Sequence, residues 1–231
     1  TAAALVFPKL FFPQSDPFIA TLLSLLSYGI AFVARPVGAA IFGSLGDKVG
    51  RRFVLVSTLL IMGLSTFLIG LLPTYSQVGL LAPLTLAILR FAQGLALGGE
   101  WGGAALMVNE FDTAGRRRGF YGSLVQVASP IGVLIANGMF GFINTITDDA
   151  EFMDWGWRIP FLASIFLVGI GYFIRRTVSE SPVFQSLEHG SRKAQAPLME
   201  TLRHHWRQVL LAIGVRAGEG VIWYVFSMLL L

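Results

Sequence analysis

Apolar residues run through this chain in blocks of about twenty, separated by short clusters of charge. About 20 consecutive, mostly apolar residues are what an α-helix needs to cross a bilayer. Five complete blocks of that kind occur, at residues 18–45, 53–72, 80–108, 120–143 and 157–174. The ends differ. Residues 1–6 are apolar but reach Pro8 and Lys9 too soon to cross, and residues 209–231 are apolar and stop on three leucines without a polar flank. The pattern predicts an all-α membrane protein and a piece of a larger one: the tail of a first span, spans 2 to 6, and most of a seventh.

Composition agrees. Charged residues are 13% and hydrophobic residues 55% of the chain, and mean hydropathy is +0.70. A soluble fold of 231 residues has no means of burying so much apolar surface. The net charge of +4 does not point to nucleic acid, because the basic residues sit between apolar spans and form no long tract. Cysteine is absent, which excludes disulfides and thiolate metal sites. The start lacks a basic n-region and does not read as a signal peptide.

Basic residues set the orientation. The loops after spans 2, 4 and 6 hold Lys48, Arg51, Arg52, Arg116, Arg117, Arg118, Arg175, Arg176, Arg192, Lys193, Arg203 and Arg207. The opposite loops hold only Lys9 and Arg158, beside the acidic Asp148, Asp149, Glu151 and Asp154. The first set of loops is therefore expected in the cytoplasm. Two of them share the form Asp-x-x-Gly-Arg-Arg, at residues 47–52 and 112–117, with Gly50 and Gly115 permitting a tight turn. The expected organisation is a bundle over residues 1–175, a polar cytoplasmic connector over 176–206, and the first helix of a second bundle over 207–231. A bundle, a long connector and a new helix is the layout of a two-bundle secondary transporter.

The stretch GSLGDKVGRR, residues 43–52, resembles the loop between helices 2 and 3 of the major facilitator superfamily, with Gly43, Leu45, Gly46, Asp47, Gly50, Arg51 and Arg52 in pattern. Arg90-Phe-Ala-Gln93-Gly94 in span 4 resembles that family's helix 4 motif. Ser129-Pro130-Ile131-Gly132 is a partial match to its helix 5 motif, with Ser129 where Gly is usual. The pieces ARPVG (34–38), GEWGGA (99–104), WGWRIPF (155–161) and ESPVF (180–184) resemble the metabolite:proton symporter branch, whose members include permeases for shikimate, α-ketoglutarate, citrate and proline or betaine. The resemblance implies a twelve-helix fold of which about half is present here. It also implies a central cavity lined by helices 4 and 7, and a cytoplasmic loop that latches the two bundles in the outward-facing state.

Five ionisable residues fall inside spans: Arg35, Arg90, Glu100, Arg216 and Glu219. Each costs about 2.5–3.5 kcal/mol or more facing lipid, so each must face a cavity or find a partner. Arg90, Gln93, Leu97 and Glu100 lie on one stripe of span 4. Arg216 and Glu219 are spaced i, i+3 on span 7, with Trp223 a turn further. Arg35, before Pro36, lies near mid-bilayer and is either a carboxylate clamp or a brace against another helix. The substrate and proton pathway is therefore expected among Arg35, Arg90, Gln93, Glu100, Arg216 and Glu219. The alternative for each is a local ion pair that holds helices together. The gate is expected among Gly43, Asp47, Gly50, Arg51, Arg52 and Glu110. There Asp47 and Arg51 pair at i, i+4, and Glu110 is a second partner for Arg51.

Other polar residues carry less. Gln126 and Asn137 read as interhelical hydrogen-bond partners. Gly98, Gly99, Gly102, Gly103 and Gly122 read as places of close helix packing. His189, His204 and His205 lie in or at the end of the polar connector and suggest no metal site. Trp155, Trp157 and Tyr75 read as an interfacial belt. No paired-carboxylate or Ser-His-Asp arrangement argues for an enzyme. The expected function is proton-coupled symport of a small organic acid or related zwitterionic metabolite by a monomer in the bacterial inner membrane. The proton is the coupling ion, and no other cofactor or metal is expected. The alternatives are a sugar-type porter of the same fold, which ESPVF also resembles, and a non-transporting fragment.

Overall fold

The computed structural model describes residues 6–111, 118–177 and 203–229. The chain divides into two compact units, residues 1–192 and 193–231.

The first unit is a helical bundle. It contains α1 (Phe7–Phe11), α2 (Pro17–Val49), α3 (Arg51–Leu71), α4 (Tyr75–Val78), α5 (Leu81–Phe111), α6 (Arg118–Ile146), α7 (Asp149–Glu151), one π-helical turn (Phe152–Gly156) and α8 (Arg158–Thr177). The five complete spans read from hydropathy are α2, α3, α5, α6 and α8, and all five are long and apolar enough to cross a membrane. The second unit carries α9 (Trp206–Leu229).

Local sequence explains the helix ends. Asp16 caps α2, its carboxylate accepting from the amide of Phe18 at 2.9 Å, and Pro17 begins the helix, where its missing N–H costs nothing. Gly50 alone separates α2 from α3, at φ 116°. That conformation is one that only glycine adopts without strain, and it is what allows the helices to reverse in a single residue. Pro36 lies inside α2, which continues through it.

Packing rests on two helix pairs, α2 with α5 and α3 with α8, joined by α3 against α5. The α2/α5 seam is backbone against backbone. A Cβ built on Gly94 would fall 2.7 Å from the Cα of Ala31, and one on Gly98 would fall 2.9 Å from the nitrogen of Ala39. Gly70 plays the same part between α3 and α8, 2.8 Å from the Cβ of Phe161. Gly98 and Gly99 therefore do what was expected of them. Gly102 and Gly122 do not, since nothing lies within 4 Å of a Cβ at either.

One end of the bundle is closed by a cluster of Val6, Phe7, Phe11, Ile69, Leu72, Ala82, Leu86 and Trp157. Trp157 meets Phe7, Phe11 and Phe161 edge-on, with ring centroids 5.9–6.2 Å apart, the preferred aromatic geometry. This corrects one expectation. Trp157 is fully buried and is a core residue, while the nearby Trp155 stays exposed. α1 runs through Pro8 and Lys9 to Phe11, with proline in its first turn. The sequence alone shows an apolar tryptophan near a span's end, and only tertiary packing decides whether it turns inward.

Candidate functional site

The expected gate forms where α2 turns into α3. Asp47 sits in the last turn of α2 and Arg51 opens α3, and their side chains pair at 2.7 Å. Asp47 is 39% exposed and Arg51 16%, so the bond is half in water. Gly46 makes room for it: a Cβ there would stand 3.1 Å from Nη1 of Arg51. A Cβ on Gly43 would meet nothing within 4 Å. The Arg52 guanidinium donates to the backbone carbonyl of Arg176 at the end of α8. Arg51 and Arg52, adjacent in sequence, thus tie α3 to two different helices. The side chain of Glu110 and the loop 112–117 lie outside the described residues.

Glu100 is drawn into the same end of the bundle. It pairs with Arg175 of α8, and Arg175 also donates to the carbonyl of Leu55 in α3. One arginine therefore joins α3, α5 and α8. The pair is mostly buried, with Arg175 at 23% and Glu100 at 17% exposure, and the second carboxylate oxygen of Glu100 is buried with no hydrogen-bond partner among the described residues. Arg175, counted from sequence only as a basic loop residue, is the site residue that sequence reasoning missed. Its signal is a charge directly after the last apolar residue of a span, at 174, where the helix still runs on to Thr177.

Arg90 occupies the other half of α5. Its Nη1 donates to Gln93 at 3.0 Å, and Gln93 donates to Thr66 of α3 at 2.7 Å. The guanidinium lies over the ring of Tyr28, 4.1 Å from its centroid, and 5.5 Å from that of Phe7. Such contacts contribute about 2 kcal/mol or more when desolvated. Arg90 is 7% exposed, yet its Nε and Nη2 have no hydrogen-bond partner among the described residues. Arg90 and Glu100 share a helical stripe, but ten residues put them about 15 Å apart along the axis. The structure gives them separate partners.

Arg35 is half-buried on α2, its guanidinium 4.0 Å from the ring centroid of Phe32 and its Nε buried without a hydrogen-bond partner among the described residues. Its carbonyl lies against Gly98 in the seam, so the closeness of α2 to α5 fixes where this arginine stands. Gln126 forms the expected interhelical bond, accepting from Nε1 of Trp101 at 3.2 Å. At the far end Arg158 caps α3, donating to the carbonyls of Gly70 and Leu72 at 2.9 and 2.7 Å, and lies over Trp157. Helix C-terminal carbonyls lack intrahelical donors, and Arg158 supplies them. The side chains of Arg216, Glu219 and Trp223 in α9 lie outside the described residues. So do residues 178–202, with ESPVF and His189.

The arrangement offers buried guanidinium donors aimed among aromatic rings in the bundle, and an ion-paired cluster at its basic end. Comparison with known proteins follows the same lines. The family described as Sugar (and other) transporter matches residues 4–209. The chain is 48% identical over 98% of its length to the inner membrane metabolite transport protein YhjE of Escherichia coli K12, covering 51% of that protein. It is 41% identical to the shikimate transporter of the same strain, over 97% of this chain and 52% of that one. To its proline/betaine transporter it is 39% identical, over 94% and 45%. The chain spans about half the length of the curated relatives it matches. Its fold matches the inward-open xylose transporter XylE of E. coli with a TM-score of 0.67 at 19% identity, over 88% of this chain and 50% of that one. These relatives are named as transporters, not enzymes, and one of them as an inner membrane protein; with five helices long and apolar enough to cross a membrane, this chain is a multi-pass protein of the same kind. The chain belongs to the sugar (and other) transporter family, and its fold is that of the major facilitator superfamily symporter XylE.

Proposed function

We propose that this chain is the first half of a secondary active transporter that carries a small carboxylate-bearing metabolite together with a proton. The observation that supports the substrate class is the pair of arginines, Arg35 and Arg90, which among the described residues leave buried N–H groups without a hydrogen-bond partner, Nε of Arg35 and Nε and Nη2 of Arg90. A buried donor without an acceptor costs about 1–3 kcal/mol, more when charged. A carboxylate accepts two parallel bonds from a guanidinium and brings compensating charge. Two relatives near 40% identity are named for shikimate and for proline or betaine, solutes that each carry a carboxylate.

Glu100 is the proton-carrying candidate among the described residues. It is a mostly buried carboxylate with one oxygen unbonded, and proton uptake there would release Arg175 from its ion pair. The Asp47–Arg51 pair then acts as a latch at the basic end. An exposed pair contributes only about 0–1 kcal/mol, which suits a bond that must break in each cycle. Alternating access would proceed by rocking of two bundles around a midplane site. The test is competition for uptake into vesicles bearing the full-length protein, with acids, their amides or esters, and neutral sugars as competitors. Acids alone should compete. Equal competition by neutral sugars replaces this reading with that of a sugar porter.

A further inference from the structure

We propose that Thr66 on α3 and Gln93 on α5 are positioning residues that fix which edge of the Arg90 guanidinium is presented to the solute. This role rests on the reading of Arg90 as a holder of the solute carboxylate. What it adds is the pair of side chains that orient the guanidinium and, through it, the preference for an acid over its amide.

The first observation is that the hydrogen bonds run in one direction. The Thr66 hydroxyl donates to the carbonyl of Met62, one turn back on α3, at 2.8 Å. A hydroxyl has a single proton, so toward Gln93 it can only accept. Gln93 therefore turns its amide nitrogen to Thr66, at 2.7 Å, and its carbonyl oxygen to Arg90, which donates from Nη1 at 3.0 Å. Arginine has donors and no acceptor, so the opposite setting of the amide would put N–H against N–H at Arg90. Both ends of the chain select the same orientation of Gln93. The backbone of α3 thus reaches, through two side chains, the charged group of α5.

The second observation is which nitrogens remain. Gln93 takes Nη1. The nitrogens with no hydrogen-bond partner among the described residues are Nε and Nη2. These two lie side by side on one edge of the planar group with their N–H bonds parallel, the geometry that receives both oxygens of a carboxylate. One face of the group rests on the ring of Tyr28, 4.1 Å from its centroid. With a corner held by Gln93 and a face held by Tyr28, the edge that remains is the bidentate one.

Selectivity follows from that edge. An acid offers two acceptor oxygens to two parallel donors. Its primary amide offers one oxygen and sets an N–H against the second donor. Without the Thr66 hydroxyl, Gln93 loses the acceptor that orients its amide, and Arg90 loses the anchor on Nη1. Thr66 acts on the solute only through Gln93 and Arg90.

The test is uptake into vesicles carrying the full-length protein. The probes are labelled shikimate and labelled proline, each competed with its own primary amide. Thr66→Val, which keeps the shape and removes the hydroxyl, should raise KM about three- to tenfold. It should lower the preference for acid over amide and leave the maximal rate per protein near wild type. Thr66→Ser should restore KM. Thr85→Val is the control: Thr85 is exposed on α5 and bonds the carbonyl of Leu81 in the same way, so KM should not move. Thr66→Val added to Arg90→Lys should raise KM no further than Arg90→Lys alone. A second readout needs no solute. In nitrogen-15 spectra of the full-length protein in detergent, the Arg90 signals are those lost in Arg90→Lys. Separate Nη1 and Nη2 signals should merge in Thr66→Val and persist in Thr66→Ser. An unchanged KM in Thr66→Val beside a raised one in Arg90→Lys overturns the positioning role and leaves Arg90 as a ligand. An unchanged KM in Arg90→Lys overturns the reading of Arg90 as a ligand, and this role with it. Effects that multiply in the double variant, or Nη signals that stay separate in Thr66→Val, also overturn the positioning role.

Discussion

Replacing Gly98 by alanine adds one methyl group where α2 and α5 touch through their backbones. The new Cβ would stand 2.9 Å from the nitrogen of Ala39 and nearer still to the carbonyl of Arg35. Ordinary van der Waals contact begins near 3.4 Å, so the helices must part by more than about 0.5 Å. Backbone atoms cannot turn away as a side chain can. The strain therefore belongs in the range of about 1–3 kcal/mol seen for overpacked cores. Alanine returns about 0.5–1 kcal/mol because glycine is the poorer helix former, which leaves a net loss of roughly 1–2 kcal/mol. Gly169→Ala on α8 is the matched control. It has nothing within 4 Å of its Cβ, so only the helix term acts, and stability should rise slightly. The assay is thermal unfolding in detergent, read by tryptophan fluorescence. Gly98→Ala should also weaken solute affinity, because the displaced carbonyl belongs to Arg35. A Gly98→Ala protein as stable as Gly169→Ala would refute the close seam and the placement of Arg35 that depends on it.

Asp47→Asn and Arg51→Ala should each cut uptake without reducing the amount of protein in the membrane, measured as vesicle uptake alongside immunodetection. Wild-type rates from both would reduce the pair to a topology signal. Glu100→Gln should destabilise the bundle, because it leaves the Arg175 charge mostly buried with a carbonyl alone. Adding Arg175→Gln should recover part of that loss, and a double-mutant cycle should give a coupling of about 0.5–3 kcal/mol. A coupling of zero would remove the ion pair from the account. Arg35→Lys should raise the apparent KM for a carboxylate solute, since lysine lacks the planar fork, while Arg116→Lys in the loop 112–117 should leave it unchanged.

The spans were legible in the sequence because a bilayer imposes one strong rule, a run of about 20 apolar residues. Each complete block matches a helix to within a few residues at either end. The Asp47–Arg51 pair was read from i, i+4 spacing within one helical turn, whereas the two residues lie on different helices and pair across the reversal that Gly50 makes. What a single helix's periodicity cannot supply is depth and partner. Arg90 and Glu100 share a stripe, but which neighbouring helix meets each of them depends on packing between chain segments 24 to 75 residues apart. Hence Tyr28 and Thr66 were not foreseen for Arg90, nor Arg175 for Glu100. Arg175 and Arg158 were read by the sign of their charge, which fixes topology, whereas the structure uses their hydrogen-bond donors to satisfy helix carbonyls. Trp157 shows the same limit. Its amphipathic ring suits an interface, and its burial was decided by Phe7 and Phe11, 150 and 146 positions away.

The central claim is that solute and proton cross together. It is tested most directly by a pH electrode in a lightly buffered suspension of de-energised vesicles that carry the full-length protein, to which a carboxylate solute is added. Co-transport predicts that the medium turns transiently alkaline as solute enters, that a protonophore abolishes the signal, and that removing sodium does not. Entry of labelled solute with no change in external pH, or entry that stops when sodium is removed, would contradict it.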